Sequence, residues 1–161
     1  MAGDERAGLS AWCYFAYGSN MNPARVRERG LQVRAISAAT LHGVRLGFDK
    51  QARDHPGVGH ACLTYDAACA VEGVLYWLDA EADLMRMDGF ERTPINYSRE
   101  VVALTTPGGP VSAWTYFANP AVCRPGGRPS RAYLAHLLAG RPYLSDPYYQ
   151  RLAAWPCAED G

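Results

Sequence analysis

The sequence predicts an α+β fold with short helices, whose mostly sequential strands can curl into a small barrel. Three observations carry it. Segments rich in β-forming residues follow one another along the chain, separated by Gly/Pro breaks. The helical segments are short and bounded by their own start and stop residues. Apolar residues at 48% and charged residues at 20% describe an ordinary globular chain. A chain of 161 residues buries roughly 70% of the surface it exposes unfolded, enough for a core without metal or disulfide staples. Residues 1–10 are expected to be a flexible N-terminal segment and residues 11–157 a single domain.

The elements follow in order. Trp12 to Tyr17 reads W-C-Y-F-A-Y, an aromatic run suited to a buried strand. It stops at Gly18-Ser19-Asn20, and a helix starts where Asn22 caps, Pro23 takes the first position and Gly30 ends it. Strands are expected at Val33–Thr40, Val44–Phe48, Ala61–Tyr65 and Val71–Leu78, broken by His42-Gly43 and Asp54-His55-Pro56-Gly57. Asp79 is expected to cap a helix with Glu81 and Asp83 in its first turn, Leu84 and Met87 as its apolar stripe and Gly89 as its stop. Tyr97–Thr105 and Val111–Phe117 form a hairpin around Pro107-Gly108-Gly109-Pro110. After a Gly/Pro loop, Ser130 caps a helix to about Ala139, and Asp146-Pro147 begins the last helix, through Trp155.

Composition excludes several functions. Sixteen basic residues balance sixteen acidic ones, so the basic excess of a general nucleic-acid binder is absent. No apolar run approaches the roughly 18 residues of a membrane span. The charged start Met1-Ala2-Gly3-Asp4-Glu5-Arg6 lacks the apolar stretch of a signal peptide, so the expected location is cytoplasmic. Five cysteines, odd in number and without C-x-x-C, read as reduced thiols rather than a disulfide scaffold. Lys50 is the only lysine, a bias that points to codon usage and not to chemistry. His42, His55, His60 and His136 show no metal-ligand spacing, and no phosphate-binding or dinucleotide glycine motif is present, so neither metal nor nucleotide cofactor is expected.

Two places are suited to chemistry. In Tyr17-Gly18-Ser19-Asn20, a glycine between strand and helix lets the backbone turn sharply and present consecutive N–H groups to an anion or oxyanion. The following helix would add its positive end, and Ser19 a further donor. The second is Glu91, placed after a helix stop beside Phe90. Apolar neighbours there would raise its proton affinity toward the range useful for proton transfer. Position alone favours the plainer reading, a solvated loop acid paired with Arg92. Glu81, Asp83 and Asp88 read as helix-surface charges.

Tyr14-Phe15-Ala16-Tyr17-Gly18-Ser19-Asn20-Met21 resembles the Y-F-A-Y-G-S-N-L signature of the γ-glutamylcyclotransferase family. Val71-Glu72-Gly73-Val74-Leu75-Tyr76-Trp77-Leu78 is similar to the family's V-x-G-V strand. Asp88-Gly89-Phe90-Glu91 falls where the family has its catalytic glutamate. Pro129-Ser130-Arg131-Ala132-Tyr133 resembles the family's P-S-x-x-Y segment, and Leu144 to Leu152 matches its tail. These segments, in order, span roughly residues 13 to 155, with Met21 in place of the usual Leu.

The resemblance implies a barrel-centred α+β fold and an enzyme without metal or cofactor. The α-amine of a γ-glutamyl group would attack its own γ-carbonyl, giving 5-oxoproline and releasing an amine. It makes Glu91 the general acid/base and Tyr17, Gly18, Ser19, Asn20 and Tyr133 substrate-binding residues, reversing the plainer reading of Glu91. Tyr97 reads equally as pocket wall or core aromatic. The expected partner is a small γ-glutamyl amino acid, amine or metabolite, with no nucleic acid and no membrane, in a monomer or homodimer. Glutathione is less favoured, because its dedicated cyclotransferases usually read Y-G-S-L where this chain has Asn20. A non-catalytic anion-binding domain of the same fold is the rival, and a hydrolase releasing glutamate a third reading.

Overall fold

A computed structural model describes residues 12–160; the segment expected to be flexible, 1–10, lies outside them. The core is a closed five-stranded barrel in the order β1-β3-β2-β4-β5. β1 (Cys13–Ala16) lies antiparallel to β3 (Gly59–Leu78) and parallel to β5 (Gly109–Ala118). β2 (Val33–Gln51) pairs antiparallel with β3 and, at Thr40↔Thr105, with β4 (Tyr97–Thr106). β1 is buried on both faces, which explains its unbroken apolar run. The Thr115 hydroxyl donates to the Phe15 carbonyl at 2.9 Å where β5 closes on β1.

The four short strands expected between residues 33 and 78 are two long ones. His42-Gly43 does not end a strand: register slips between His42 and Val44, where Gly43 takes φ 82° in a bulge. Across from it β3 accommodates Asp66 to Cys69, with the Asp66 carboxylate accepting from the Ala68 N–H at 3.0 Å. The bulges bend a 19-residue and a 20-residue strand enough to close a narrow barrel.

A one-turn 3₁₀ helix (Ser19–Met21) follows β1, and α1 (Pro23–Glu28) comes after it. Asn22 caps α1 by accepting from Ala24 N–H at 3.1 Å. The positive end expected just behind the turn is therefore displaced by the 3₁₀ turn. α2 (Glu81–Phe90) is capped by Ala80, not Asp79. The Asp79 carboxylate is held by Arg34 at 2.5 Å, while Asp83 accepts the Ala80 and Gln32 N–H groups at 3.1 and 3.0 Å. Asp83 is thus buried rather than a surface charge, and Asp88 joins Tyr116 (2.6 Å) and Arg99 (3.0 Å). Gly89 does not stop α2, which continues one residue further.

α3 (Arg131–Leu138) is capped by Ser130 and α4 (Asp146–Ala153) by Ser145, each hydroxyl accepting the N–H three residues on. Every helix delivers side chains to one core: Val26 from α1, Leu84 and Met87 from α2, Leu134 and Leu137 from α3, Tyr148 and Leu152 from α4. Cys62, Cys69, Cys123 and Cys157 carry free thiols, and Cys13 is buried in β1. No helix among the described residues is long and apolar enough to cross a membrane.

Candidate active site

At one mouth of the barrel lies a cavity of about 650 Å³. Tyr17, Gly18, Ser19, Asn20, Glu91 and Tyr133 all line it. The turn after β1 and the end of α2, 71 residues apart in sequence, meet there directly: Asn20 Nδ2 donates to Glu91 Oε1 at 3.3 Å.

The turn is held from several sides. Asn20 is 3% exposed; its carbonyl accepts the Tyr76 hydroxyl at 2.6 Å, and its Nδ2 also donates to the Tyr14 hydroxyl at 3.0 Å. Its Oδ1 accepts from Arg29 Nη1 at 3.1 Å. The N–H groups of Met21 and Asn22 close the turn on the Gly18 and Ser19 carbonyls. Gly18 is needed for close approach: a Cβ there would stand 3.0 Å from Ala61 Cβ and 3.2 Å from the Tyr133 hydroxyl.

Glu91 is the C-cap of α2, its N–H bonded to the Met87 carbonyl at 2.9 Å. The loop behind it turns at Arg92, with φ 50°, and is pinned by Asn119, whose amide donates to the Pro94 and Ile95 carbonyls at 2.5 and 2.8 Å. Burial pushes the Glu91 carboxyl above its ordinary value, opposed by the positive charges of Arg29, Lys50 and Arg25. The partial negative charge at the end of α2 also disfavours ionisation there. Phe90 is not the main cover: it is 48% exposed and carries the Arg29 guanidinium 4.7 Å above its ring.

The tyrosines form the opposite wall. The Tyr17 hydroxyl donates to the Tyr116 carbonyl at 2.5 Å. The Tyr133 hydroxyl accepts from Ala61 N–H at 3.0 Å and faces the Ser19 N–H and hydroxyl. Tyr97 proves to be both core and wall, 7% exposed and donating to the Ala61 carbonyl at 2.8 Å. Burial raises the pKa of all three phenols, so they are neutral donors at physiological pH.

Sequence reasoning missed a second group of lining residues: Arg25, Arg29, Lys50, Arg53, His60 and Arg92. Lys50 and His60 face each other across the β2–β3 register. His60 stacks on Tyr133 with centroids 4.7 Å apart, and burial with the Lys50 and Arg25 charges lowers its pKa to about 4. Local sequence carries no signal for this group, since its members come from four separate segments. Among the described residues no cluster of His, Cys, Asp or Glu has the arrangement of a metal site.

Comparison with known proteins agrees with this architecture. Among curated protein sequences, none matches the chain. Of solved structures, one described as a gamma-glutamyl cyclotransferase superposes with TM-score 0.79 at 22% identity, covering 92% of this chain and 89% of its own. YkqA from Bacillus subtilis gives 0.74 at 23%, covering 91% of this chain and 56% of that one. A yeast gamma-glutamyl cyclotransferase specific to glutathione gives 0.60 at 15%, covering 88% and 93%. These likenesses are of fold. The family model described as gamma-glutamyl cyclotransferase, AIG2-like, matches residues 14–135, a span that holds the turn, Glu91 and Tyr133 alike, and the chain belongs to that family.

Proposed function

We propose that the protein is a γ-glutamylcyclotransferase, converting the γ-glutamyl group of a small amide into 5-oxoproline and releasing the amine. One observation carries this reading: a half-buried carboxylate, Glu91, shares a cavity with the Gly18-Ser19-Asn20 turn and is tied to it through Asn20. The substrate's α-amine is mostly protonated at neutral pH, and only its neutral form attacks. Glu91, with raised proton affinity, accepts that proton as the amine nitrogen bonds to the γ-carbonyl carbon. The same proton passes to the departing nitrogen as the amide C–N bond breaks, so Glu91 ends ionised as it began; the second proton left on the ring nitrogen goes to solvent, from which the released amine takes one up.

The backbone of the Gly18-Ser19-Asn20 turn and the Tyr133 hydroxyl, which accepts from Ala61 and keeps its own proton to give, suit the developing oxyanion and the α-carboxylate. Losing one such donor typically costs about 3 kcal/mol of transition-state stabilisation. Asn20 itself acts as a positioning residue, bridging Glu91 and Arg29. Ring closure is intramolecular, so a pocket that holds the glutamyl chain folded contributes by orientation alone.

The test is incubation with γ-glutamyl amides and quantification of 5-oxoproline and glutamate. The reading expects 5-oxoproline, and Glu91→Gln should lower turnover by at least about 100-fold while substrate binding persists. Glutamate in its place would make the protein a hydrolase. Tight binding of γ-glutamyl compounds with no product would make it a binding domain. A Glu91→Gln variant as active as the parent would remove Glu91 from the proton transfer.

A further inference from the structure

Charge in the cavity is far from balanced. Five cationic side chains line it, Arg25, Arg29, Lys50, Arg53 and Arg92, against one carboxylate, Glu91. The whole chain is formally neutral, so this is a local concentration and not a basic protein. The ion pairs among the described residues use Arg34, Arg45, Arg99 and Arg131, none of which lines the cavity. The cavity cations have no such partner. Arg25 Nε is buried without any hydrogen-bond acceptor. Burial lowers the pKa of both Arg29 and Lys50; Arg25 adds to this at Arg29 and Arg92 at Lys50, while Glu91, the one carboxylate of the cavity, opposes it at both.

A γ-glutamyl head group does not neutralise this. Its α-carboxylate and α-ammonium cancel, and the carboxylate engages only one or two of the cations. Arg25 and Arg29, one turn apart on the α1 side, flank the Asn20 end of the site, with Arg29 fixed on Asn20. Lys50 lies near the end of β2, Arg53 just beyond it and Arg92 in the loop after α2, and all three line the cavity. Lys50 is buried while Arg53 and Arg92 are exposed, so the set offers charge both inside the cavity and toward solvent.

We propose that the amine released by this enzyme bears a doubly negative group, a phosphate monoester or a dicarboxylate, received by Lys50, Arg53 and Arg92. This rests on the cyclotransferase reading and names its substrate class. An anion there relieves the repulsion among the cations, whereas a polyamine or a lysine side chain is repelled.

Four amides of the same γ-glutamyl group test it: those of O-phosphoethanolamine, glutamate, ethylamine and putrescine, each followed by 5-oxoproline formation. One of the two dianionic amides is expected to exceed the ethylamide in kcat/KM by at least about tenfold, and the putrescine amide to be poorest. Which dianion leads distinguishes phosphate from dicarboxylate. The advantage should shrink as ionic strength rises. Arg53→Gln with Arg92→Gln should narrow the ratio of dianionic to neutral amide, and Arg53→Lys with Arg92→Lys should keep most of it. Product from all four at similar rates, or a ratio unmoved in the glutamine variant, refutes the anionic leaving group while the cyclotransferase stands. No 5-oxoproline from any amide refutes the cyclotransferase and this inference with it.

Discussion

Asn20→Ala is the sharpest probe of how the site is built. The Asn20 side chain is 3% exposed, gives its amide to Tyr14 (3.0 Å) and Glu91 (3.3 Å), and accepts from Arg29 (3.1 Å). A hydrogen bond between neutral groups is worth about 0.5–1.5 kcal/mol, and one to a charged group about 1.5–3 kcal/mol. Glu91 and Arg29 border the cavity, where water can replace part of what Asn20 provides, so the charged bonds count at their lower end. The expected loss is about 3.5–4.5 kcal/mol, which for a chain of this size lowers Tm by about 7–18 °C. Thermal unfolding followed by circular dichroism reads the loss directly. A double-mutant cycle with Tyr14→Phe isolates the Asn20–Tyr14 bond, with an expected coupling of about 0.5–1.5 kcal/mol. A Tm within a degree or two of the parent would refute Asn20 as the tie between the turn and Glu91, and two substitutions that simply add would refute the Asn20–Tyr14 bond.

Three further outcomes follow from the same geometry. Glu91 has a raised folded-state pKa, so its contribution to stability is fully present below the ordinary carboxylate range and is lost as pH rises through the folded value. Glu91→Gln should therefore be more stable than the parent at pH 8, with the difference shrinking toward pH 4.5 in denaturant titrations; a constant difference would contradict the buried charge. The His60 ring should remain neutral well below pH 6, titrating near pH 4 by its NMR ring-proton shifts, and an ordinary midpoint near 6.5 would show that it is neither desolvated against Tyr133 nor faced by Lys50 and Arg25. Gly59→Ala places a Cβ 1.5 Å from the Phe48 carbonyl oxygen, whereas Gly108→Ala meets nothing nearer than 3.8 Å. The first should cost at least about 2 kcal/mol and the second almost nothing, measured by chemical denaturation; equal effects would mean that the β2–β3 register at that end is wrong.

Much of the framework is legible locally. The caps at Asn22, Ser130 and Ser145 act on N–H groups two or three residues away, so their pattern in the chain is already their function. The same holds for the buried run Tyr14-Phe15-Ala16 and the turn that ends it. Prediction failed where distant backbone overrode local signals. His42-Gly43 looks like a strand break but is a bulge, because the partner strand beyond it continues the ladder. Asp79 looks like a cap, but Arg34 takes its carboxylate and Asp83 does the capping. Asp83 and Asp88 look like surface charges until the partners that bind them are in place.

The site divides in the same way. The sequence by itself determined which groups are available: the glycine turn with its adjacent N–H groups, a carboxylate at 91, the tyrosines at 17 and 133. Backbone chemistry and side-chain type are local properties, and they can be read without coordinates. Only the tertiary structure decided that closure of the barrel brings residue 20 within hydrogen-bond reach of residue 91, that burial lifts the proton affinity of Glu91, and that the one lysine of the chain sits among four arginines around it. Desolvation and Coulomb interaction depend on distance in space. Separation along the chain carries no record of that distance until the strands have closed.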